Sequence, residues 1–232
     1  MRQVAVTVDD RELGLPELTA PLPVNELVAG TGAWEVEIGF GKGRYLIRRA
    51  MESPRRRFLG IEMATAYYRL AAKRMKRHGL VNLALVRGEA LFVLAALLPT
   101  DWASAVHIYF PDPWPKARHQ RRRLFDPETV DLVLRLLRPE GRLCFATDYL
   151  EYGRAVQDLL ESHPGTRVQR LTGPWPDGAR TNYEAKYERE GRAILRLEVE
   201  WTADQRDRFH PSGRAGVVAA TSLKTGDLEL TG

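Results

Sequence analysis

The sequence predicts an α/β fold, a mostly parallel sheet with helices on both faces and an antiparallel last strand. Three observations carry this expectation. Short runs of strand length rich in Val, Ile and Leu recur from residue 34 to residue 147. Segments of helical character separate them, and strict strand–helix alternation requires right-handed crossovers between parallel strands. Acidic residues close the successive strands, at Glu37, Glu62, Glu89, Asp112 and Asp148. Parallel strands bring those ends to one edge, where open α/β sheets bind ligands.

At 232 residues, with 44% hydrophobic and 28% charged side chains, the chain suits one domain with a full core. The expected organisation is an N-terminal extension over 1–33, a ligand-binding domain over 34–202 and a C-terminal tail over 203–232. No apolar run approaches the roughly 20 residues of a membrane span. The opening MRQVAVTVDD carries acids and no signal-peptide core, so a cytoplasmic protein without membrane association is expected. The single Cys144 lies in an apolar run, which excludes an internal disulfide and a multi-cysteine zinc site; no metal site is expected. Net charge is +5, but residues 38–124 hold eighteen Lys and Arg against five acids, while the flanking segments are net acidic. Such a concentrated basic field suits a polyanion.

Residues 1–33 show no sustained period and contain Pro16, Pro21 and Pro23. The pattern sharpens at Trp34: a strand over 34–38, glycines at 39, 41 and 43, then a helix with Tyr45, Leu46 and Ile47 on its apolar face. Glycines at alternate positions allow a tight turn and close approach of a ligand to a helix N-terminus. The spacing departs from the dinucleotide G-x-G-x-x-G fingerprint. Glu37, just before the loop, would repel a pyrophosphate and attract an ammonium, which favours adenosylmethionine over NAD. Glu62 ends the next strand, from residue 56, where an acid accepts from ribose hydroxyls. A helix over 64–78 follows, with a basic last turn and Gly79 as its stop. Its Lys73, Arg74, Lys76 and Arg77 suit RNA and dipole matching about equally. A strand over 81–87 leads to Glu89, placed either to accept from an adenine amino group or simply to open the helix over 90–98.

The most informative stretch runs from Ala105 to Leu124, AVHIYFPDPWPKARHQRRRL. Its strand should end at Phe110. Pro111, Pro113 and Pro115 stiffen the loop and favour extended conformations at Phe110, Asp112 and Trp114. Asp112 is thereby fixed at the strand edge, and Trp114 is a residue type that stacks on an unstacked base. Lys116, Arg118, His119, Arg121, Arg122 and Arg123 then supply six potential cations in eight positions, suited to phosphates. A helix over 127–137, a strand over 142–147 ending at Asp148, and a helix over 149–162 continue the alternation. After a strand over 166–172, Thr181 caps a short helix with Glu184 at capping-box spacing, a structural role as plausible as a functional one. Residues 192–201 alternate apolar and charged, the mark of a half-buried, antiparallel last strand.

These residues resemble the tRNA (guanine-N7-)-methyltransferases, which have the Rossmann-like class I methyltransferase fold dependent on S-adenosyl-L-methionine. The resemblance spans roughly residues 34–201 and rests on VEIGFGKG, FLGIE, IYFPDPWPKARHQRRRL, ATD and TNYEAKYE. It implies that Glu37, Gly39, Gly41, Gly43, Glu62, Glu89 and Asp112 bind adenosylmethionine and that Asp112 sits at the methyl-transfer centre. It further implies that Lys116, Arg118, Arg121, Arg122, Arg123, Asp148, Thr181, Asn182, Tyr183 and Glu184 hold the tRNA or its guanine 46. Guanine N7 carries a lone pair and no proton, so transfer needs positioning and no general base. Monomer and homodimer both fit the sequence. An NAD oxidoreductase has the wrong glycine spacing, and a bare RNA-binding module leaves the acidic strand ends without a purpose. Methylation of another RNA base is the nearest rival.

Overall fold

The computed structural model describes residues 4–8, 11–14 and 21–202. The proposed tail over 203–232 lies outside the described residues. Nine strands form one sheet: β1 (Ala5–Val8), β2 (Arg11–Gly14), β3 (Trp34–Ile38), β4 (Arg57–Glu62), β5 (Leu83–Arg87), β6 (Ala103–Tyr109), β7 (Leu137–Thr147), β8 (Thr166–Arg170) and β9 (Leu195–Trp201). The helices are α1 (Val24–Leu27), α2 (Arg44–Glu52), α3 (Thr65–Arg77), α4 (Ala90–Phe92), α5 (Pro127–Leu134), α6 (Leu150–Ser162) and α7 (Asn182–Arg189). Strand order is β2-β1-β5-β4-β3-β6-β7-β9-β8. The five central strands are parallel, and β9 pairs antiparallel with β7 and β8, as expected.

The central strands are apolar because helices cover both faces. Val36, Ile38, Val106, Ile108, Leu143 and Phe145 point into the larger core beside α5 and α6. On the other face, Tyr68, Ala71 and Met75 of α3 and Leu46, Ile47 and Ala50 of α2 close over Phe58, Leu83 and Leu85. The α5 boundary follows from local chemistry: Asp126 caps it by accepting from Thr129 N–H at 2.8 Å, and Pro127 occupies its first turn.

Several expectations need correction. The N-terminal segment contributes two strands: β1 pairs antiparallel with β5 and β2, Val6 and Val8 enter the main core, and the Thr7 hydroxyl hydrogen-bonds Tyr68. Strand β6 ends at Tyr109, α5 stops at Leu134, and β7 starts at Leu137. Its pairing jumps from Ala103–Leu137 to Ala105–Arg142, so the Pro139–Gly141 segment is an irregularity within the strand, with Glu140 at φ +61°. The expected helix over 90–98 widens after one turn into a π-helical segment, Val93–Leu97.

Gly60 shows how tightly α2 is seated. A Cβ there would lie 2.3 Å from Leu46 Cδ2 and 2.6 Å from Phe40 Cδ1. Gly60→Ala is expected to lower unfolding free energy by about 1–3 kcal/mol through overpacking, read as a reduced urea midpoint with unchanged slope.

Candidate functional site

Chain connections diverge on either side of the β3–β6 pair: β3 leads to β4 on one side, β6 to β7 on the other. A crevice forms outside the carboxyl ends at such a switch point. The glycine loop lines it. Gly39, Gly41 and Gly43 have φ of +72°, +52° and +66°, a region that disfavours side chains. Added Cβ atoms at Gly39 and Gly41 meet nothing within 4 Å, whereas one at Gly43 lies 3.3 Å from Ala71 Cβ. The first two therefore leave an open backbone surface, while the third seats α2 against α3.

Glu37 lies beneath that loop and is 3% exposed. Its Oε2 has no hydrogen-bond partner among the described residues. Burial pushes its carboxyl up to about 8; the Leu46 N–H at the start of α2 opposes this, Glu62 reinforces it and Arg180 opposes it. Glu62 is engaged through both oxygens, accepting from Gly41 N–H and Ala64 N–H at 2.8 Å each. The expected ribose acceptor thus also clasps the glycine loop to the start of α3. Glu89 stands at the next strand end, half-buried, and its side chain does not cap α4.

Asp112 is exposed and makes no hydrogen bond among the described residues. Its loop differs from the extended conformation expected of it. Phe110 and Trp114 have φ of +51° and +40°. Phe110 N–H still donates to Ala146 O at 2.7 Å, so the chain leaves the sheet abruptly, and its ring packs beside Tyr187 and Tyr183. Trp114 is half-buried, edge-on to His119. Lys116, Arg118 and Arg121 are exposed; the Arg122 side chain lies outside the described residues. Arg123 turns inward, donating from Nε to Pro113 O at 2.8 Å and stacking 4.9 Å over Tyr152. It anchors the loop rather than facing solvent.

The fourth group comes from α7. Thr181 caps it, accepting from Glu184 N–H at 3.0 Å. Glu184 is fully buried: Oε1 accepts from Arg196 Nε at 2.7 Å and Oε2 from Arg180 N–H at 2.7 Å. It locks α7 onto β9. Asn182 is exposed and accepts from Arg44, and Tyr183 is 56% exposed beside Phe110. Asp148 is half-buried, 3.5 Å from Arg192.

Sequence reasoning passed over Arg180, which joins these groups. Its guanidinium lies 4.0 Å over Trp175 and 5.2 Å over Tyr45, and donates to Tyr109 Oη at 2.6 Å and Asp177 at 3.0 Å. An arginine only donates, so Tyr109 O–H passes its own proton bond to His107 Nδ1 (2.9 Å), leaving Nε2–H for Glu35 at 3.3 Å. Burial lowers the His107 pKa and keeps the ring neutral. Burial opposes ionisation of Glu35, yet the His107 hydrogen bond and Arg49 hold it at about 2. Glutamate, histidine and tyrosine at buried strand positions were the available signal, since such groups require partners.

The family model described as "Putative methyltransferase" matches residues 32–197. A tRNA (guanine-N(7)-)-methyltransferase from Nitrosococcus oceani is 35% identical over 80% of this chain and 79% of its own length. The chain belongs to this family. A relative of the same name from Streptomyces avermitilis is 36% identical over 66% of the chain, though the chain spans 52% of that protein. Among solved structures, the 16S rRNA methyltransferase KamB has a TM-score of 0.59 at 17% identity, covering 87% of this chain and 100% of that one. The 16S rRNA (adenine(1408)-N(1))-methyltransferase from Catenulisporales acidiphilia has a TM-score of 0.57 at 17% identity, covering 86% and 97%. Both share the class I methyltransferase fold. Among the described residues no helix is long and apolar enough to cross a membrane, and no cluster of His, Cys, Asp and Glu could hold a metal.

The state of Glu37 has a thermodynamic consequence. Between its ordinary value of 4.5 and about 8, the folded carboxyl keeps a proton that the unfolded one has lost. Stability therefore declines as pH rises through this window and the decline is complete above it. Glu37→Gln should flatten the profile, gaining on the order of a few kcal/mol over wild type between pH 5 and 9, measured by urea unfolding without added ligand.

Proposed function

We propose that this chain transfers the methyl group of S-adenosyl-L-methionine to N7 of guanine 46 in the variable loop of tRNA, forming N7-methylguanosine in the cytoplasm. The observation that carries the reading is the unpartnered Oε2 of buried Glu37 beneath an open glycine surface. Once ionised, a buried carboxyl requires a charged donor; an ammonium would displace the proton that Glu37 keeps in the free protein, and the ammonium of an amino-acid moiety fits where a pyrophosphate does not.

When bound, adenosylmethionine supplies an electrophilic methyl group on a sulfonium. The remaining work belongs to the protein. Glu37 receives the ammonium, Gly39 and Gly41 admit close approach, Glu62 exchanges its hold on the loop for ribose hydroxyls, and Glu89 accepts from the adenine amino group. Asp112 and Asp148 accept from guanine N1–H and the 2-amino group, aiming the N7 lone pair and stabilising the purine as it becomes cationic. Positioning of this kind supplies several kcal/mol without any proton removal at N7. Because N7 is inaccessible to side chains in an A-form groove, the base leaves its stack, which costs a few kcal/mol. Lys116, Arg118 and Arg121 meet phosphates, Asn182 and Tyr183 line the tRNA side, and Thr181, Glu184 and Arg123 hold the surrounding segments in place.

Incubation with labelled adenosylmethionine and unmodified tRNA, followed by nucleoside analysis, is expected to yield N7-methylguanosine, lost when guanine 46 is replaced. Another methylated nucleoside would discard the guanine assignment. Asp112→Ala is expected to lower turnover by about 100-fold, the scale of lost positioning, with tRNA binding retained; unchanged turnover would remove Asp112 from the centre.

A further inference from the structure

The outward face of α3 carries a charge pattern that helix stability alone does not explain. Between Glu62 and Glu89 the chain has six Lys and Arg and no acid in 26 residues. Tyr68, Ala71 and Met75 turn to the core, and Arg69, Lys73 and Arg77, spaced by one turn each, are exposed on the opposite side. None of these three makes an ion pair among the described residues; Arg77 contacts only His78, at 3.5 Å. The helix dipole rewards cations in the last turn, which accounts for Arg77, Lys76 and Arg74 but not for Arg69 and Lys73 further back. Like charges one turn apart each cost a few tenths of a kcal/mol. The stripe is therefore mildly unfavourable to its own helix.

Its surroundings favour a polyanion. Arg74 Nη1 donates to Lys42 O in the glycine loop at 2.6 Å, so α3 is a direct extension of the crevice wall. Tyr67 and Leu70 are exposed on the same helix, and Met63 just before it, offering apolar contact to sugars or bases beside the charges. The opposite layer has the other sign: α5 and α6 carry Glu128, Asp131, Glu151, Asp158 and Glu161 against Arg154 alone. A 13-residue helix spans about 20 Å, long enough to follow several consecutive phosphates.

From this we infer that the Arg69–Lys73–Arg77 stripe of α3 is a second tRNA-docking surface, binding the phosphate backbone of the tRNA body at a distance from the nucleotide being methylated. The inference rests on the tRNA reading above. It divides labour: the proline loop and α7 place the base, and α3 supplies affinity and orientation without sequence preference.

The test replaces the stripe with Arg69→Gln, Lys73→Gln and Arg77→Gln together, all exposed positions, in the full chain. A charge-matched control carries Arg138→Gln, Arg154→Gln and Arg167→Gln. Binding to transcribed tRNA is measured across a potassium chloride series, with methylation kinetics at fixed salt. The stripe variant is expected to bind at least ten-fold more weakly near 0.15 M salt, with a salt slope reduced by about one unit per residue removed. KM for tRNA should rise while kcat and adenosylmethionine affinity stay within two-fold of wild type, and the control should bind as wild type does. An unchanged slope and affinity, or an equal loss in the control, would overturn the inference while leaving the methyltransferase reading intact. Wild-type protein that methylates no tRNA would instead overturn that reading.

Discussion

One guanidinium joins the halves of the carboxyl edge. Arg180 reaches from the segment before α7 across Trp175 and Tyr45 to Tyr109 on β6, and its charge bears on Glu37 at the end of β3. Its backbone N–H is held by Glu184, whose other oxygen is held by Arg196 on β9. The segment before α7 and strands β6, β3 and β9 are thus parts of one hydrogen-bonded assembly. Such an assembly is costly to leave half made, because every buried polar member loses its partner when one is removed. The same economy explains why β3 and β6 tolerate Glu35 and His107 in their buried stretches: both are hydrogen-bonded along the line from Arg49 and Arg56 to Arg180.

The parallel core was legible because burial on both faces favours short runs rich in Val, Ile and Leu separated by helical segments, and five acids marked the carboxyl ends of the strands. The α7 cap and the antiparallel β9 were legible for equally local reasons, a Thr181–Glu184 spacing and a period of two. What escaped depended on tertiary partners. Four residues of β1 are a strand only because β5 offers an edge, a preference invisible in so short a segment. Proline rules suggested extended backbone at Phe110 and Trp114, yet the Phe110–Ala146 hydrogen bond and the aromatic contacts with Tyr183 and Tyr187 impose a turn. The six-cation run read as uniform, but Arg123 is drawn into the fold by Pro113 O and Tyr152. In each case a particular contact outweighed a local tendency.

The layering of charge organises approach as well as contact. Helices on one face are acidic and those on the other basic, so a polyanion experiences a torque before it touches the protein. Field of this kind acts within about a Debye length, roughly 8 Å at physiological ionic strength, enough to bias which face meets a tRNA first. The acidic strand ends are shielded from this encounter differently: Glu37 is buried and Glu62 is bonded to the glycine loop.

The two aromatic residues held at positive φ, Phe110 and Trp114, have an implication for how such a protein would respond to selection for heat resistance. Left-handed backbone at a bulky residue stores on the order of 1 kcal/mol or more, and glycine would release it. Glycine would also forfeit the ring contacts with Tyr183, Tyr187 and His119, a loss at least as large as the strain, so a screen scoring melting temperature alone would leave both aromatic residues in place.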